Sequence, residues 1–490
     1  MESGKEQPSL KLKTARSIKW NTIDRVATQL LYAVVGVVLA NILSKEDFGL
    51  VGILLAFQAF AALFVDSGFG TALLQRKDPT ERDYSTVFWF NLGTSLIIYA
   101  LLFLCAPLIA DAFHGDRRLI PLSKVMFLTF VINGLAIVQT NRMIKRMDVR
   151  HLAIANSVGL AASGIVAIAL ALAGFGVWSL VWQYVVLAVV KTAWLWVAGK
   201  WIPCGGFHLD SLRKIWRVGL SVFSSSMLNI LCQQAYTLVI GAFYSFSATG
   251  VYTQAEKWSK MACASVSQIL TATFVPLLSK VQNDAETFRR YVKKINRFTG
   301  FLLFPVMFGL AVIGAPLFHT LFGNKWDEAI PLFQILTLRG AVIVLTSLYN
   351  NYILSLGRAG RIFAAEVIKD SLILIAILAT VWSGSLSVIV WGQMVATLVS
   401  YFMILVLTSR VTGYPARNML VDLLPSLGLA TAMGILCLMA ESLVSVPLLQ
   451  LLLMLGIGAA SYITMAWLVR LPELSDAAGY LLGRFRKKKL

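Results

Sequence analysis

The stretch VDSGFGTALLQRKD, residues 65–78, closes a long apolar run of the sequence. A carboxylate, Asp66, lies inside this run, two glycines follow it, and the basic residues Arg76 and Lys77 end it. A charge at membrane depth is costly and marks function or a structural pair, whereas basic residues beside an apolar segment are typical of a cytoplasmic loop. The stretch therefore predicts a transmembrane helix that ends in a cytoplasmic loop.

The whole chain has the composition of a membrane protein. Of its 490 residues, 58% are hydrophobic and 14% are charged, whereas soluble domains average about 45–50% apolar and about 25% charged residues. The apolar residues recur in blocks of about twenty, and a helix of that length spans the roughly 30 Å hydrocarbon core of a bilayer. We therefore expect an all-α integral membrane protein.

The net charge of +19 has a simple explanation in such a protein. The Lys and Arg residues stand between the apolar blocks, where an excess on the cytoplasmic side fixes the orientation of the chain. A nucleic-acid-binding protein would gather these residues on one surface. We therefore expect the lipid bilayer as a partner and no nucleic acid.

Apolar runs, charges and Gly/Pro breaks divide the chain into about fourteen predicted transmembrane helices. Their approximate limits are 20–43, 48–74, 84–112, 119–141, 151–173, 177–198, 214–243, 250–278, 295–321, 328–356, 361–382, 386–409, 420–443 and 446–468. With a cytoplasmic N-terminus, basic loops alternate with loops poor in basic residues at every turn. The poor side holds Lys45, Arg117, Arg118, Lys124 and Lys325. This pattern predicts that both termini are cytoplasmic.

An internal repeat indicates how the helices are grouped. ANILSKEDFGLVGI (40–53) and GAFYSFSATGVYTQ (241–254) each place a short turn and then a glycine, Gly49 or Gly250, at the start of a helix, 201 residues apart. A weaker similarity pairs RMDVRHLAIANSV (146–158) with GRAGRIFAAEVI (357–368). We predict two six-helix lobes around a central cavity, plus two C-terminal helices, and bundles of this kind usually work by alternating access.

The predicted organisation follows from this repeat. A polar loop, GKWIPCGGFHLDSLRKI, is the natural linker between the two lobes. The predicted parts are a cytoplasmic N-terminal segment (1–19), an N-lobe (20–198), a cytoplasmic linker (199–215), a C-lobe (216–409), two further helices (410–468) and a basic cytoplasmic tail (469–490).

Ionisable residues inside the predicted helices are the candidate site residues, because charges at membrane depth are costly. The candidate cations of a substrate-binding cavity are Arg25, Arg339, Lys257, Lys260 and Lys369. The candidate ion-coupling or structural acids are Asp24, Asp66, Glu256, Glu366 and Asp370.

Several of these residues have more than one interpretation. Arg25 is either a cavity cation, or half of a local ion pair with Asp24, or a side chain that extends toward the membrane surface. Arg339 lies near the middle of its helix and is either a functional cation or a structural partner of the next helix. Asp66 is either a proton or cation site or the cap of a helix kink at the glycines that follow it. Lys191 lies near the cytoplasmic end of its helix and is expected to extend toward the membrane surface.

The remaining candidates lie on shared helix faces. Glu366, Lys369 and Asp370 are spaced to occupy one face, which either meets Arg339 in an ion-pair network or turns toward water. Lys257 and Lys260 also share a face, and they either attract phosphate or lie at the outer interface of the membrane.

The sequence contains no catalytic or metal-binding pattern. Its 4 histidines and 5 cysteines are scattered, and HExxH, GxSxG, P-loop and CxxC motifs are absent. The predicted outer loops are too short to hold a catalytic domain. We predict a transporter rather than an enzyme, without a metal or cofactor, and coupling to protons or sodium ions is left open.

Five segments resemble a known family. They are LANILSKEDFGLVG (39–52), FVDSGFGTALLQRKDPTERDYSTVFWFN (64–91), TGVYTQAEKWSK (249–260), FVPLLSKVQNDAETFRRYVKK (274–294) and LSLGRAGR (354–361). The chain resembles, over roughly residues 15–410, the Wzx-type polysaccharide exporters, in a branch with colanic acid and teichuronic acid exporters. These belong to the multidrug/oligosaccharidyl-lipid/polysaccharide (MOP) flippase superfamily.

This resemblance implies a function. Such exporters move undecaprenyl-diphosphate-linked oligosaccharides, such as O-antigen, capsule or exopolysaccharide repeat units, across the bacterial inner membrane, where glycan polymerases are expected partners. Their cavity Arg and Lys residues bind the diphosphate, which fits Arg25, Arg339 and the lysines at 257 and 260, although no family motif assigns these positions. The alternative is an ion-coupled multidrug or small-molecule antiporter of the same superfamily, for which an acidic cavity is expected.

Overall fold

The computed structural model describes residues 6–66, 69–76, 78–282 and 284–475. In this part of the chain the secondary structure consists of α-helices and two 3₁₀ turns (Gly323–Trp326 and Val381–Ser383), and no strand occurs. The helices are α1 (Glu6–Ile42), α2 (Lys45–Asp66), α3 (Phe69–Gln75), α4 (Glu81–Leu104), α5 (Ala106–Ala112), α6 (Leu119–Met126), α7 (Leu128–Lys145), α8 (Val149–Leu172), α9 (Val177–Gly199), α10 (Leu209–Phe243), α11 (Phe246–Lys280), α12 (Ala285–Val312), α13 (Gly314–Phe322), α14 (Ala329–Ser355), α15 (Ala359–Thr380), α16 (Leu386–Thr412), α17 (Ala416–Glu441) and α18 (Pro447–Leu468).

The predicted membrane segments coincide with these helices. Among the described residues, 11 helices are long and apolar enough to cross a membrane. The predicted count of about fourteen is not confirmed, because α10, α11 and α15 are not among these 11. In α15 the reason is visible in the sequence, since its 22 residues include four charged ones, which are Arg361, Glu366, Lys369 and Asp370. The fold class predicted from the sequence, an all-α integral membrane protein, is confirmed.

Some predicted helices are broken in the structure. The segment 84–112 is two helices that meet at Cys105, and 295–321 is two helices that meet at Ile313. Pro107 stands in the first turn of α5 and has no N–H to continue the hydrogen-bond ladder. These breaks leave the run of apolar residues uninterrupted. The prediction was based on that run and therefore missed them.

Two differences concern the first two predicted helices. Helix α1 begins at Glu6, well before the apolar run, because most of the polar residues that precede this run are adequate helix formers. Helix α2 ends at Asp66 and α3 begins at Phe69. The Asp66 side chain and residues 67–68 lie outside the described residues, so the proposed kink and the role of Asp66 remain predictions.

The chain divides into two compact units, Met1–Thr253 and Gln254–Leu490. The core of the first unit is apolar and contains Leu39, Leu50, Phe127 and Phe130, all of which are buried. The core of the second unit contains buried aromatic residues with polar tips. Tyr349 donates a hydrogen bond to Asn296 at 3.1 Å, and Asn296 donates to the Met419 carbonyl at 2.7 Å. In a bilayer such packing and hydrogen bonding replace the hydrophobic drive that holds soluble helices together.

The internal repeat is visible in two helix N-termini that lie in the first unit, those of α2 and α11. The Asp47 N–H donates to the Ser44 hydroxyl at 3.1 Å at the start of α2. At the start of α11, the Ala248 N–H donates to the Ser245 hydroxyl, also at 3.1 Å. Serine at this position binds backbone N–H groups that would otherwise have no partner. The two caps are 201 residues apart, the offset found in the sequence.

The same two helices cross at a pair of glycines. A Cβ atom on Gly49 would lie 1.8 Å from the Phe246 carbonyl oxygen, and one on Gly250 would lie 1.9 Å from the Lys45 carbonyl oxygen. Gly49 pairs with Gly250 and Lys45 with Phe246 at the same 201-residue offset, so the contact is reciprocal. Only glycine permits backbones to approach this closely. We call these four residues the glycine crossing.

Candidate functional site

A cavity of about 500 Å³ opens between α1, α7, α8 and α9 in the first unit. The lining residues of the four helices lie toward the same end of the bundle, where α7 and α9 end and α8 begins. The cavity is lined by Asp24, Thr140, Ile144, Met147, Val149, Leu152, Asn156 and Lys191. It therefore combines a carboxylate, an amide, a hydroxyl and an ammonium group with an apolar rim. We call it the α1–α9 cavity.

Asp24 is held at one wall of this cavity. The Asn156 side-chain Nδ2 donates a hydrogen bond to Asp24 Oδ2 at 3.2 Å. The other oxygen, Asp24 Oδ1, is buried and has no hydrogen-bond partner among the described residues. Lys191 acts electrostatically on the carboxylate, but the two do not form a contact ion pair among the described residues. Two opposite charges thus line the same cavity, and one carboxylate oxygen has no hydrogen bond from a described residue.

Arg25 does not line this cavity. It follows Asp24 on α1, its side chain is exposed, and it acts electrostatically on Asp24 less strongly than Lys191 does. None of the interpretations from the sequence is excluded by this placement. The structure separates the two neighbours, since Asp24 lines the cavity and Arg25 is exposed.

The candidate charges of α11 are partly paired within the helix. The Lys260 Nζ lies 3.0 Å from Glu256 Oε1, one turn away. The Lys257 Nζ lies 5.8 Å from the centre of the Trp258 ring, within the range of a cation–π contact. Glu256 is mostly buried, whereas the Lys260 side chain is 56% exposed. Lys260 therefore presents its charge at the surface of this unit with a carboxylate behind it.

Arg339 lies on α14 and makes a contact that the sequence did not predict. Its Nε donates a hydrogen bond to Thr397 Oγ1 on α16 at 2.9 Å. The other two guanidinium nitrogens have no hydrogen bond to a described residue. Arg339 and Lys260 both act electrostatically on the Cys263 thiol.

The candidate charges of α15 form a local network. Lys369 binds Glu366, and its Nζ lies 3.6 Å from Asp370 Oδ1. The Asn350 side chain on α14 donates to Glu366 Oε1 at 3.2 Å. The predicted shared face is confirmed. Arg339 is not part of this network, because its hydrogen bond goes to α16.

A second cluster was missed by sequence reasoning. Arg142 at the end of α7 is buried, and its Nη1 lies 2.6 Å from Glu81 Oε2. Its guanidinium lies 4.9 Å from the Tyr84 ring centre and 5.1 Å from that of Trp201. The Trp201 indole N–H donates to the same Glu81 oxygen at 2.7 Å. Arg142 looks like an ordinary loop charge in the sequence, and only the aromatic residues around it show that it is buried.

A third cluster lies on the loop between α5 and α6. Arg118 donates from its Nε to Asp116 at 3.0 Å and also binds Glu46 of α2. His114 Nε2 lies 2.8 Å from the Tyr244 carbonyl oxygen, beside a cavity of about 520 Å³ that Glu46 also lines. The loop thus contacts α2 and the turn before α11, on both sides of the glycine crossing.

The Asp116–Arg118 pair predicts a pH dependence of stability. The hydrogen bond from Arg118 holds the pKa of Asp116 below its usual range. A group whose pKa is lowered by folding stabilises the protein above its unfolded pKa of about 3.9, and this contribution is lost as the pH falls through the folded pKa. We expect Asp116→Asn to unfold at lower temperature than the parent protein at neutral pH, with a difference that shrinks below about pH 4. Thermal unfolding of both proteins in detergent, from neutral pH to below about pH 4, would test this prediction. A difference in unfolding temperature that does not change with pH would contradict it.

Comparison with known proteins assigns the chain to a family. The family described as "Polysaccharide biosynthesis protein" matches residues 38–331. The chain is 26% identical over 363 residues to the succinoglycan biosynthesis transport protein ExoT of Rhizobium meliloti (strain 1021), which covers 74% of this chain and 73% of ExoT. It is 27% identical over 453 residues to the lipopolysaccharide biosynthesis protein WzxC of Escherichia coli (strain K12), with 87% and 89% covered.

A solved structure shares the fold. The lipid II flippase MurJ, in an inward closed conformation, matches with a TM-score of 0.75 at 14% identity, over 93% of this chain and 98% of that one. At this identity the likeness concerns the fold alone. The resemblance to polysaccharide exporters that the sequence motifs indicate is confirmed at the level of the family. The chain belongs to the family of polysaccharide biosynthesis proteins.

Proposed function

We propose that this protein is a flippase that moves an undecaprenyl-diphosphate-linked oligosaccharide across the bacterial inner membrane by alternating access. The observation that carries the proposal is the family match, which spans residues 38–331. ExoT is named as a transport protein and MurJ as a lipid II flippase, and both names fit the movement of a lipid-linked sugar. The family match favours this function over the multidrug antiporter alternative.

The charges of the described residues support an anionic substrate. Moving a diphosphate through a bilayer requires cations at membrane depth, because an unpaired anion there is costly. Arg339 has two guanidinium nitrogens without a hydrogen bond to a described residue, and its Nε is fixed by Thr397. A guanidinium oriented in this way suits the bidentate binding of a phosphate group. We propose Arg339, together with Lys260, as the first anion site, and Arg25, Lys257 and Lys369 as further candidates.

The proposal includes the topology predicted from the sequence. Both termini face the cytoplasm, residues 20–198 and 216–409 are the two lobes, and 199–215 is the linker between them. The N-termini of α2 and α11 then lie on the outer side of the membrane, and the α1–α9 cavity opens toward the cytoplasm. A glycan polymerase that receives the flipped substrate is the expected partner.

Substituting Arg339 tests both the function and the site. In a bacterium that lacks its own glycan flippase, we expect the intact protein to restore surface polymer and Arg339→Ala to lower it at least about tenfold, because a charge-assisted hydrogen bond contributes about 1.5–3 kcal/mol. Arg25→Ala is expected to have a smaller effect, since that side chain is exposed. The readout is surface polymer relative to lipid-linked repeat units retained inside the cell, at matched expression.

The matched control is Arg290→Ala. Arg290 pairs with Glu286 at 3.1 Å on the exposed start of α12, so removing it should leave export unchanged. Full export by Arg339→Ala would keep the flippase and assign Arg339 a structural role with Thr397. Failure of the intact protein with several donor glycans, together with efflux of cationic drugs, would favour the antiporter.

A further inference from the structure

We propose that three arginines of the second unit, Arg289, Arg410 and Arg417, bind the phosphate of an anionic phospholipid in the cytoplasmic leaflet of the membrane. We call them the three-arginine site. The choice of leaflet rests on the proposed topology. The site itself goes beyond the proposed function, because this phospholipid is a component of the bilayer and not the molecule that is transported.

The turn between α16 and α17 brings the three arginines together. Arg410 lies in the last turn of α16, and Arg417 lies in the first turn of α17. Between them, Gly413 ends α16 with a φ of 69°. A Cβ atom on Gly413 would lie 3.5 Å from Arg289 Nε, so the guanidinium group of Arg289 packs against this turn from α12. Three guanidinium groups from three helices therefore surround one short turn.

The charge of this site is not balanced by carboxylates. All three arginines are exposed, and no carboxylate of a described residue lies within ion-pair distance of any of them. Other arginines on α12 differ in this respect, since Arg290 pairs with Glu286 and Arg297 pairs with Glu473. A guanidinium group presents a planar fork of N–H donors that suits a phosphate group. The site is therefore suited to a phosphate anion.

Exposed apolar side chains extend from the site along α16 and α17. These side chains are Val399, Phe402 and Val406 on α16, and Val421 and Leu424 on α17. On each helix they are three or four residues apart, so they share one face, and the next position on that face is Arg410 or Arg417. Each face is thus apolar along the membrane-spanning part and ends in a cation. A phospholipid has the matching form, with acyl chains beside the apolar face and a phosphate at the arginines.

General rules of membrane topology account for only part of this arrangement. An excess of Lys and Arg on the cytoplasmic side explains the sign of the charges. It does not require that Arg289 of α12 packs against the turn between two other helices. Basic groups immediately outside a membrane helix attract anionic lipids, at about 1 kcal/mol for each Lys or Arg. The apolar faces favour a lipid over a soluble acidic protein, which would leave them unused.

Native mass spectrometry of the purified full-length protein in a non-ionic detergent tests the site without the transported substrate. The protein is titrated with phosphatidylglycerol, and the affinity for the first bound lipid is measured. The test variant combines Arg289→Gln, Arg410→Gln and Arg417→Gln, and the control combines Arg82→Gln, Arg290→Gln and Arg358→Gln, three other exposed arginines. We expect the test variant to bind at least about tenfold more weakly than the parent protein. The control, which loses the same charge, should bind like the parent.

A single substitution makes the test independent of the folding of the triple variant. Arg289→Gln leaves α16 and α17 unchanged and should weaken binding about fivefold. Replacing all three arginines by lysine keeps the charge and should retain part of the affinity that glutamine removes. Unchanged binding by Arg289→Gln and by the triple glutamine variant would overturn the site. An equal loss in the control would also overturn it, because binding would then follow net charge alone.

Two further ligands separate an anionic lipid from other sources of phosphate. Phosphatidylcholine has a phosphate without net charge, and glycerol 3-phosphate has the anion without acyl chains, so both should bind more weakly than phosphatidylglycerol. Equal binding of phosphatidylcholine would show that the arginines do not select a charged lipid. Equal binding of glycerol 3-phosphate would identify a site for a soluble anion, and either result would overturn the proposal. Failure of the protein to export glycan would change none of these results, because no glycan enters the measurement.

Discussion

Replacing Gly250 with alanine is expected to abolish most glycan export, by about a hundredfold or more. The added Cβ would lie 1.9 Å from the Lys45 carbonyl oxygen and could be accommodated only if α2 and α11 move apart. Overpacking of this kind typically costs about 1–3 kcal/mol and occasionally more. A difference of about 1.4 kcal/mol changes an equilibrium constant about tenfold. An alternating-access protein that cannot bring these helix ends together would be shifted away from one of its two states. Surface polymer in the complementation strain is the measurement.

Other glycines of the chain provide a graded series of controls. A Cβ on Gly52 would meet the Thr253 methyl group at 2.8 Å, and a side chain can rotate away where a backbone cannot. A Cβ on Gly93 of α4 would meet nothing within 4 Å. We expect export to fall strongly in Gly49→Ala and Gly250→Ala, moderately in Gly52→Ala, and not at all in Gly93→Ala. Equal export by Gly49→Ala and Gly93→Ala would show that the crossing is not needed.

Replacing Arg142 with alanine is expected to cause the largest loss of stability among single charge substitutions in the described residues. The change removes a buried guanidinium that is 2.6 Å from Glu81 and that packs against the rings of Tyr84 and Trp201. Breaking a fully buried ion pair costs about 3–5 kcal/mol. The Glu81 side chain is 56% exposed, so we expect Arg142→Ala to lower the free energy of unfolding by about 2–3 kcal/mol. Part of this loss comes from the cation–π contacts that are removed.

The control is an ion pair of similar length on an exposed helix. Arg290 and Glu286 lie 3.1 Å apart, and their side chains are 73% and 86% exposed, so Arg290→Ala should cost less than about 0.5 kcal/mol. Unfolding in mixed micelles with increasing denaturing detergent would measure both variants. A double substitution of Arg142 and Glu81 that destabilises no more than Arg142→Ala alone would show that the pair acts as a unit. Equal stability of Arg142→Ala and Arg290→Ala would contradict the prediction.

Much of the helical architecture could be predicted because a bilayer restricts the backbone. Every polar backbone group in the hydrocarbon must bond within its own segment, so apolar length and flanking charge determine where a helix lies. The segment 177–198 is α9 (Val177–Gly199), and 446–468 is α18 (Pro447–Leu468). The breaks at Cys105 and Ile313 were missed because they interrupt hydrogen bonding without changing apolar character.

The candidate site was less predictable, because the position of a charge along a helix does not say which way it faces. Lys191 was expected to extend toward the membrane surface, and the structure places it in a cavity with Asp24. For Arg339 the sequence left two roles open, and its contact is with Thr397, a neutral residue that no charge pattern could indicate. Spacing was a better guide within one helix, where Lys369 meets Glu366 and Asp370 as expected.

The glycine crossing also bears on how this chain can change. A contact in which position 49 meets position 250, and 45 meets 246, has the form of the self-complementary interface of a symmetric homodimer. A half-length chain would make the same contact with a second copy of itself about a two-fold axis. In one polypeptide the two copies are free to diverge everywhere except where they touch. At the crossing, neither glycine can be exchanged for a larger residue while the other helix keeps its place.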